Sequence, residues 1–110
     1  MGIFEYNGHT IEIDFMDLDT LKRYEEGKNT MSANIEKIQE EKDLAASERF
    51  EKVLNEIDNF FIKMFGANIV KQLFGKTKNL RDRMTAVTYL LKVEQSLAND
   101  AEDLKKLINE

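Results

Sequence analysis

Two phenylalanines stand directly before glycines nine residues apart, within the stretch Asp58–Asn79, DNFFIKMFGANIVKQLFGKTKN. Glycine accepts the positive backbone angles that close a helix, and Phe65 and Phe74 are the last apolar residues before Gly66 and Gly75. The stretch predicts two helix ends in quick succession, a tight corner at 66–79 between longer helices. Four of the seven phenylalanines crowd into it, so the bend is expected to hold an aromatic cluster.

Helical periodicity surrounds this corner. Phe50, Val53, Leu54, Ile57, Phe60, Phe61, Met64 and Phe65 recur with a period near 3.6 and predict a helix over 47–65. Ile69, Val70, Leu73 and Phe74 predict a short helix over 67–74. Asn79 is an N-cap, with Asp82 three residues on, and opens a C-terminal helix over 79–110. Leu80, Met84, Val87, Leu91 and Glu94 form its stripe, widened by Leu90, Leu97, Ala98, Ala101, Leu104 and Ile108. Asn99-Asp100, with Asp100 and Asp103 as a second capping pair, breaks or restarts that helix. The core expected from these stripes is Phe50, Leu54, Ile57, Phe60, Met64, Leu73, Leu80, Met84, Val87 and Leu91.

The chain opens differently. Asn7-Gly8 is the preferred pair for a two-residue hairpin turn. That turn sets Tyr6 opposite His9, Phe4 opposite Ile11 and Ile3 opposite Glu12. Phe4, Tyr6, Ile11, Ile13 and Phe15 then share an apolar face. Residues 1–15 read as a β-hairpin that adds little core and offers its edges for assembly. Asp17 and Asp19 are candidate N-caps for a helix after the second strand. Residues 17–43 carry a narrow apolar stripe and Gly27 as an interruption, and they read as either a helix or a mobile helical connector. The fold class is α+β and mostly α-helical. A two-stranded N-terminal hairpin precedes three to four helices in a single domain, 1–110.

The residue types exclude several activities. There is no cysteine and no proline, which removes disulfides and thiolate metal sites and favours long helices. A net charge of -5 opposes a nucleic-acid partner, since phosphate contact needs a basic face. Lys71, Lys76, Lys78, Arg81 and Arg83 cluster at the corner, diluted by Asp82, and read as a solvated loop and helix start, with a patch for an acidic partner as the alternative. No run of about 18 apolar residues exists to cross a membrane. The N-terminus has no secretory signal pattern. Lone His9 lacks companions for a base or a ligand, and Glu12, Asp14, Asp17 and Asp19 lack the spacing of a calcium loop. The chain reads as no enzyme, with no cofactor, metal or catalytic residue. Adjacent helical side chains point about 100° apart, so part of the aromatic run is left for a neighbour. Phe61, Phe65 and Phe74 are the interface candidates.

The order of parts resembles a known family. A hairpin ending in Ile11–Phe15, then Phe60, Phe61, Phe65 and Gly66, then Leu73, Phe74, Gly75 and the cap Asn79, is similar to the small tail proteins of long-tailed phages of Gram-positive bacteria. Within that group it resembles the tail assembly chaperones. The resemblance implies a non-catalytic protein of the host bacterial cytoplasm. It implies binding and solubilising of the tape-measure protein, recruitment of the tail-tube protein, and homo-oligomer formation. The alternatives are another phage structural or assembly protein, and a small regulatory module binding a host protein.

Overall fold

The computed structural model describes residues 2–96, 102 and 104–108. The order of elements is β1 (Gly2–Tyr6), β2 (His9–Ile13), α1 (Leu18–Glu40), α2 (Ala46–Phe65), α3 (Ile69–Phe74) and α4 (Leu80–Gln95). This is the α+β, mostly helical architecture expected, a two-stranded antiparallel hairpin followed by helices. None of the described helices is long and apolar enough to cross a membrane.

The hairpin has the register set by its turn: Tyr6 pairs with His9, Phe4 with Ile11 and Ile3 with Glu12. Asn7 and Gly8 both have positive φ, 51° and 80°, as a type I′ turn requires. Its place in the molecule differs from the expectation. Phe4, Ile13 and Phe15 are buried in the main core, and Asn7 Nδ2 donates to the Leu73 carbonyl 3.1 Å away. The hairpin is a wall of the core rather than an appendage. A two-stranded ribbon with an apolar face is stable only against a third layer, and the corner's aromatics supply that layer.

Residues 18–40 form one continuous helix, not a connector. The Asp17 carboxylate accepts from the Thr20 amide and hydroxyl at 3.0 and 2.8 Å, which satisfies orphan donors at the helix start. These bonds hold the Asp17 carboxyl below its ordinary value. Gly27 does not interrupt the helix. A Cβ there would lie 3.1 Å from Cδ1 of Phe60, so glycine lets α1 and α2 approach closely. Arg49, from the start of α2, caps the far end of α1: its guanidinium donates to the Ile38 and Glu41 carbonyls, each at 2.6 Å.

The corner is as the glycines predict. α2 ends at Gly66 (φ 100°) and α3 at Gly75 (φ 62°). Asn79 Oδ1 accepts from the Asp82 amide at 3.1 Å and opens α4. The apolar stripe predicts a C-terminal helix over 79–110. In the structure α4 runs to Gln95, and residues 104–108 are again helical. The expected break at Asn99-Asp100 and the Asp100–Asp103 capping pair lie outside the described residues.

The core confirms half of the expected set and corrects the rest. Leu54, Ile57, Phe60, Met64 and Leu73 are buried. Leu80 and Val87 are half-buried, while Phe50, Met84 and Leu91 are exposed. α4 is rotated about its axis relative to the stripe expected, and its buried face is Arg83, Ala86 and Leu90. The reason is Arg83. Its Nε donates to Asp58 Oδ1 at 3.0 Å and its Nη1 to the Thr77 carbonyl at 2.7 Å, and the guanidinium lies 4.3 Å from the Phe74 ring centroid. A paired, hydrogen-bonded and ring-stacked guanidinium can be buried where an unpaired one cannot. Arg83 is therefore a core residue and not part of a solvated basic turn.

Candidate functional site

The aromatic interface candidates lie inside the protein. Phe61 is 0% exposed and Phe74 is 5% exposed, while Phe65 is half-buried. Phe61 has Phe4, Phe60, Phe65 and Phe74 as ring neighbours, with centroids 5.6–6.2 Å apart. Phe65 stacks on Phe4 at 5.8 Å and 22°. The aromatic surplus of the corner is thus matched by aromatics of the hairpin and α1, through Phe4, Tyr6 and the Phe15–Tyr24 pair. Phe61 and Phe74 present no free surface for a partner in this chain. Phe65 keeps only a partly open edge.

One exposed apolar surface lies at the junction of α2 and α4 near their starts. Phe50 is 58% exposed and Met84 is 56% exposed. With Leu80 they line an open groove of about 660 Å³ whose rim carries Lys78, Asn79 and Arg81. A smaller recess of about 320 Å³ continues it, with Phe50, Lys78 and Leu80 shared and Leu54 added. Phe50 lines both. Neither Lys78 nor Arg81 has an ion-pair partner among the described residues. The Thr88 hydroxyl on the groove wall is satisfied by the Met84 carbonyl at 3.0 Å. The site is thus a mixed groove, apolar through Phe50, Leu80 and Met84 and polar through Lys78, Asn79, Arg81, Thr85 and Thr88.

The local sequence explains this placement. Capping by Asn79 fixes where α4 begins, and burial of Arg83 fixes which way it faces. Met84, the residue after Arg83, must then point about 100° away from the core. Phe50 follows Arg49, whose guanidinium is committed to the end of α1. Phe50 and Met84 both continue apolar stripes, and the stripes alone place them in the core. The signal that separates them from the core is the second stripe on α4, through Ala86 and Leu90, which competes for the same face.

A second apolar recess, of about 720 Å³, lies where β1 meets the end of α4, and it is lined by Ile3, Tyr89, Lys92 and Val93. Near the end of α4 the Tyr24 hydroxyl donates to the Glu94 carboxylate, and Lys28 Nζ lies 3.1 Å from the same carboxylate. Burial, with the Glu94 hydrogen bond and charge behind it, pushes the Tyr24 phenol well above its ordinary range. This cluster ties α1 to α4.

His9 is exposed on the hairpin. Among the described residues no group of three or more histidine, aspartate or glutamate side chains is arranged to hold a metal ion. No curated protein and no solved structure matches the chain. The model of a family of unknown function, DUF6673, matches residues 7–109, and the chain belongs to that family.

Proposed function

We propose that the chain is a non-catalytic assembly protein that holds an amphipathic helix against the Phe50–Leu80–Met84 groove. The observation that carries this reading is the pairing of two large exposed apolar side chains, Phe50 and Met84, with the cations Lys78 and Arg81 around them. An amphipathic helix docks by laying its apolar face in such a trough, and acidic residues on its flanks meet the rim. The resemblance of the hairpin, the two Phe-Gly ends and the Asn79 cap to phage tail assembly chaperones supports a specific setting. In that setting the client is the tape-measure protein, the tail-tube protein is recruited in turn, and the site of action is the host bacterial cytoplasm.

The test is co-expression with the tape-measure protein of the same genome. The wild-type chain is expected to raise the soluble yield of that client and to co-purify with it. Phe50→Ala with Met84→Lys is expected to lose both effects while melting at the wild-type temperature, because neither side chain is in the core. A client that stays insoluble beside the wild-type chain would remove the chaperone reading. A host protein captured through the same groove would place the chain among regulatory modules.

A further inference from the structure

The Asn7-Gly8 turn decides which backbone groups of the hairpin are used inside it. Residues flanking a two-residue turn exchange both of their hydrogen bonds, and bonded pairs then alternate with unbonded ones. Tyr6 with His9, Phe4 with Ile11 and Gly2 with Ile13 are therefore the bonded pairs of the register. The amides and carbonyls of Ile3 and Glu5 point outward from β1, and those of Thr10 and Glu12 point outward from β2. The two edges differ in what lies beside them. α4 runs along β1: a Cβ on Gly2 would strike Val93, the Tyr6 and Tyr89 rings are 5.9 Å apart, and Ile3 and Glu5 share a recess with Tyr89 and Lys92. A strand arriving at that edge would meet the helix. Along β2, His9, Thr10 and Glu12 are exposed. Among the described residues the sheet has no third strand, and no backbone bond reaches Thr10 or Glu12 from outside the hairpin.

We propose that the outer edge of β2 docks an extended segment of another protein, with lysine or arginine at alternate positions and apolar residues between them. The segment adds a third strand through the outward backbone groups of Thr10 and Glu12. Strand alternation and charge select its chemistry. Thr10, Glu12 and Asp14 lie on the solvent face, and neither carboxylate has an ion-pair partner among the described residues. Cations opposite them form the favourable cross-strand pairs. Ile11, on the other face, is half-buried at the margin of the core, and an apolar side chain beside it widens the core by one strand. The same charges reject a second copy. Two β2 edges brought together would crowd Glu12 and Asp14 of one copy against those of the other, and opposed like charges destabilise a sheet. Charge on an open edge is the usual guard against pairing between copies. Here it also sets the sign of the partner.

One strand on one edge is a small interface, below about 1,200 Å². The contact is therefore weak and reversible, and salt loosens it further. It uses no residue of the Phe50–Leu80–Met84 groove, so the two surfaces can be occupied at once. It stands whether or not that groove holds a helix.

The test is titration of the full chain with a short capped peptide of alternating lysine and valine, read by fluorescence anisotropy and by amide hydrogen exchange. The peptide is expected to bind. At a concentration about ten times its Kd, exchange of the Thr10 and Glu12 amides is expected to slow about tenfold. Glu12→Lys is expected to weaken binding at least about threefold. Thr10→Pro removes an outward N–H that the hairpin does not use, and it is expected to weaken binding at least about tenfold. Should Thr10→Pro lower the melting temperature, Glu12→Lys still reads the contact through an exposed side chain. A peptide with glutamate in place of lysine is expected not to bind, and Phe50→Ala with Met84→Lys is expected to bind the lysine peptide as the wild type does. Absence of binding, binding that leaves the Thr10 and Glu12 amides exchanging as before, equal binding of the glutamate peptide, or indifference to Glu12→Lys would each overturn the inference.

Discussion

Arg83 Nε lies 3.0 Å from Asp58 Oδ1, and this ion pair joins the middle of α2 to the first turn of α4 across the helical corner. The guanidinium is almost wholly buried. Its second anchor is the Thr77 carbonyl, in the turn between α3 and α4. Arg83→Ala leaves the partly buried Asp58 carboxylate without its partner and frees a carbonyl. The expected loss is about 3 kcal/mol, which chemical denaturation would read. Arg83→Lys is expected to recover little, because an ammonium cannot reach both acceptors and stack on Phe74 at once.

Phe61 and the hairpin stand or fall together. Phe61→Ala empties the centre of the ring cluster and is expected to cost about 3–5 kcal/mol. Deleting residues 1–15 removes Phe4, Ile13 and Phe15 and exposes Phe61 and Phe65 to water. The truncated chain is expected to lose its cooperative thermal transition and to bind hydrophobic dyes. A sharp melt after that deletion would contradict the burial of Phe4.

Gly27 gives a prediction of opposite sign to helix propensity. Replacing a mid-helix glycine by alanine ordinarily stabilises by about 0.5–1 kcal/mol. Here the new Cβ would meet the Phe60 ring at 3.1 and 3.3 Å, and that ring is itself held by Tyr24 and Phe61. Overpacking typically costs about 1–3 kcal/mol. Gly27→Ala is expected to lower the melting temperature slightly, and Gly27→Val to lower it further.

The Tyr24 phenol supplies an alkaline limb. Its folded-state value is raised above the ordinary 10.0 by burial first and by Glu94 second. A raised group stabilises fully below its unfolded value and loses that contribution as the pH climbs towards the folded one. Stability is therefore expected to be flat through neutral pH and to fall above about pH 10. Tyr24→Phe is expected to cost about 1–3 kcal/mol at neutral pH and to flatten the alkaline decline. Denaturant midpoints across the alkaline range check both.

Local signals in the sequence are enough for the local structure. Asn7-Gly8 selects the turn and the turn selects the register, so every cross-strand pair is determined by two residues. Asp17 and Asn79 each cap the amide three residues on, and Gly66 and Gly75 close their own helices. What depends on remote partners is illegible. The core face of α4 is decided by Asp58, 25 residues away, and without that partner Arg83 reads as a surface charge and Met84 as core. Gly27 reads as a breaker until Phe60 is known to press on it. Phe61 looks surplus until Phe4 covers it. The groove is hidden by the same gap, since its two principal side chains extend genuine apolar stripes.

The bond from Asn7 to the Leu73 carbonyl and the bond from Tyr24 to Glu94 span 66 and 70 residues. On a ribosome the first strands emerge long before either acceptor exists. At synthesis rates of about 5–20 residues per second, an interval of that length lasts roughly 4–14 s. For most of it Phe4 lacks the Phe61 and Phe65 rings it packs on, and the strand edges stay open to other nascent chains. The protein's vulnerable moment is thus its birth, and slower translation would prolong it.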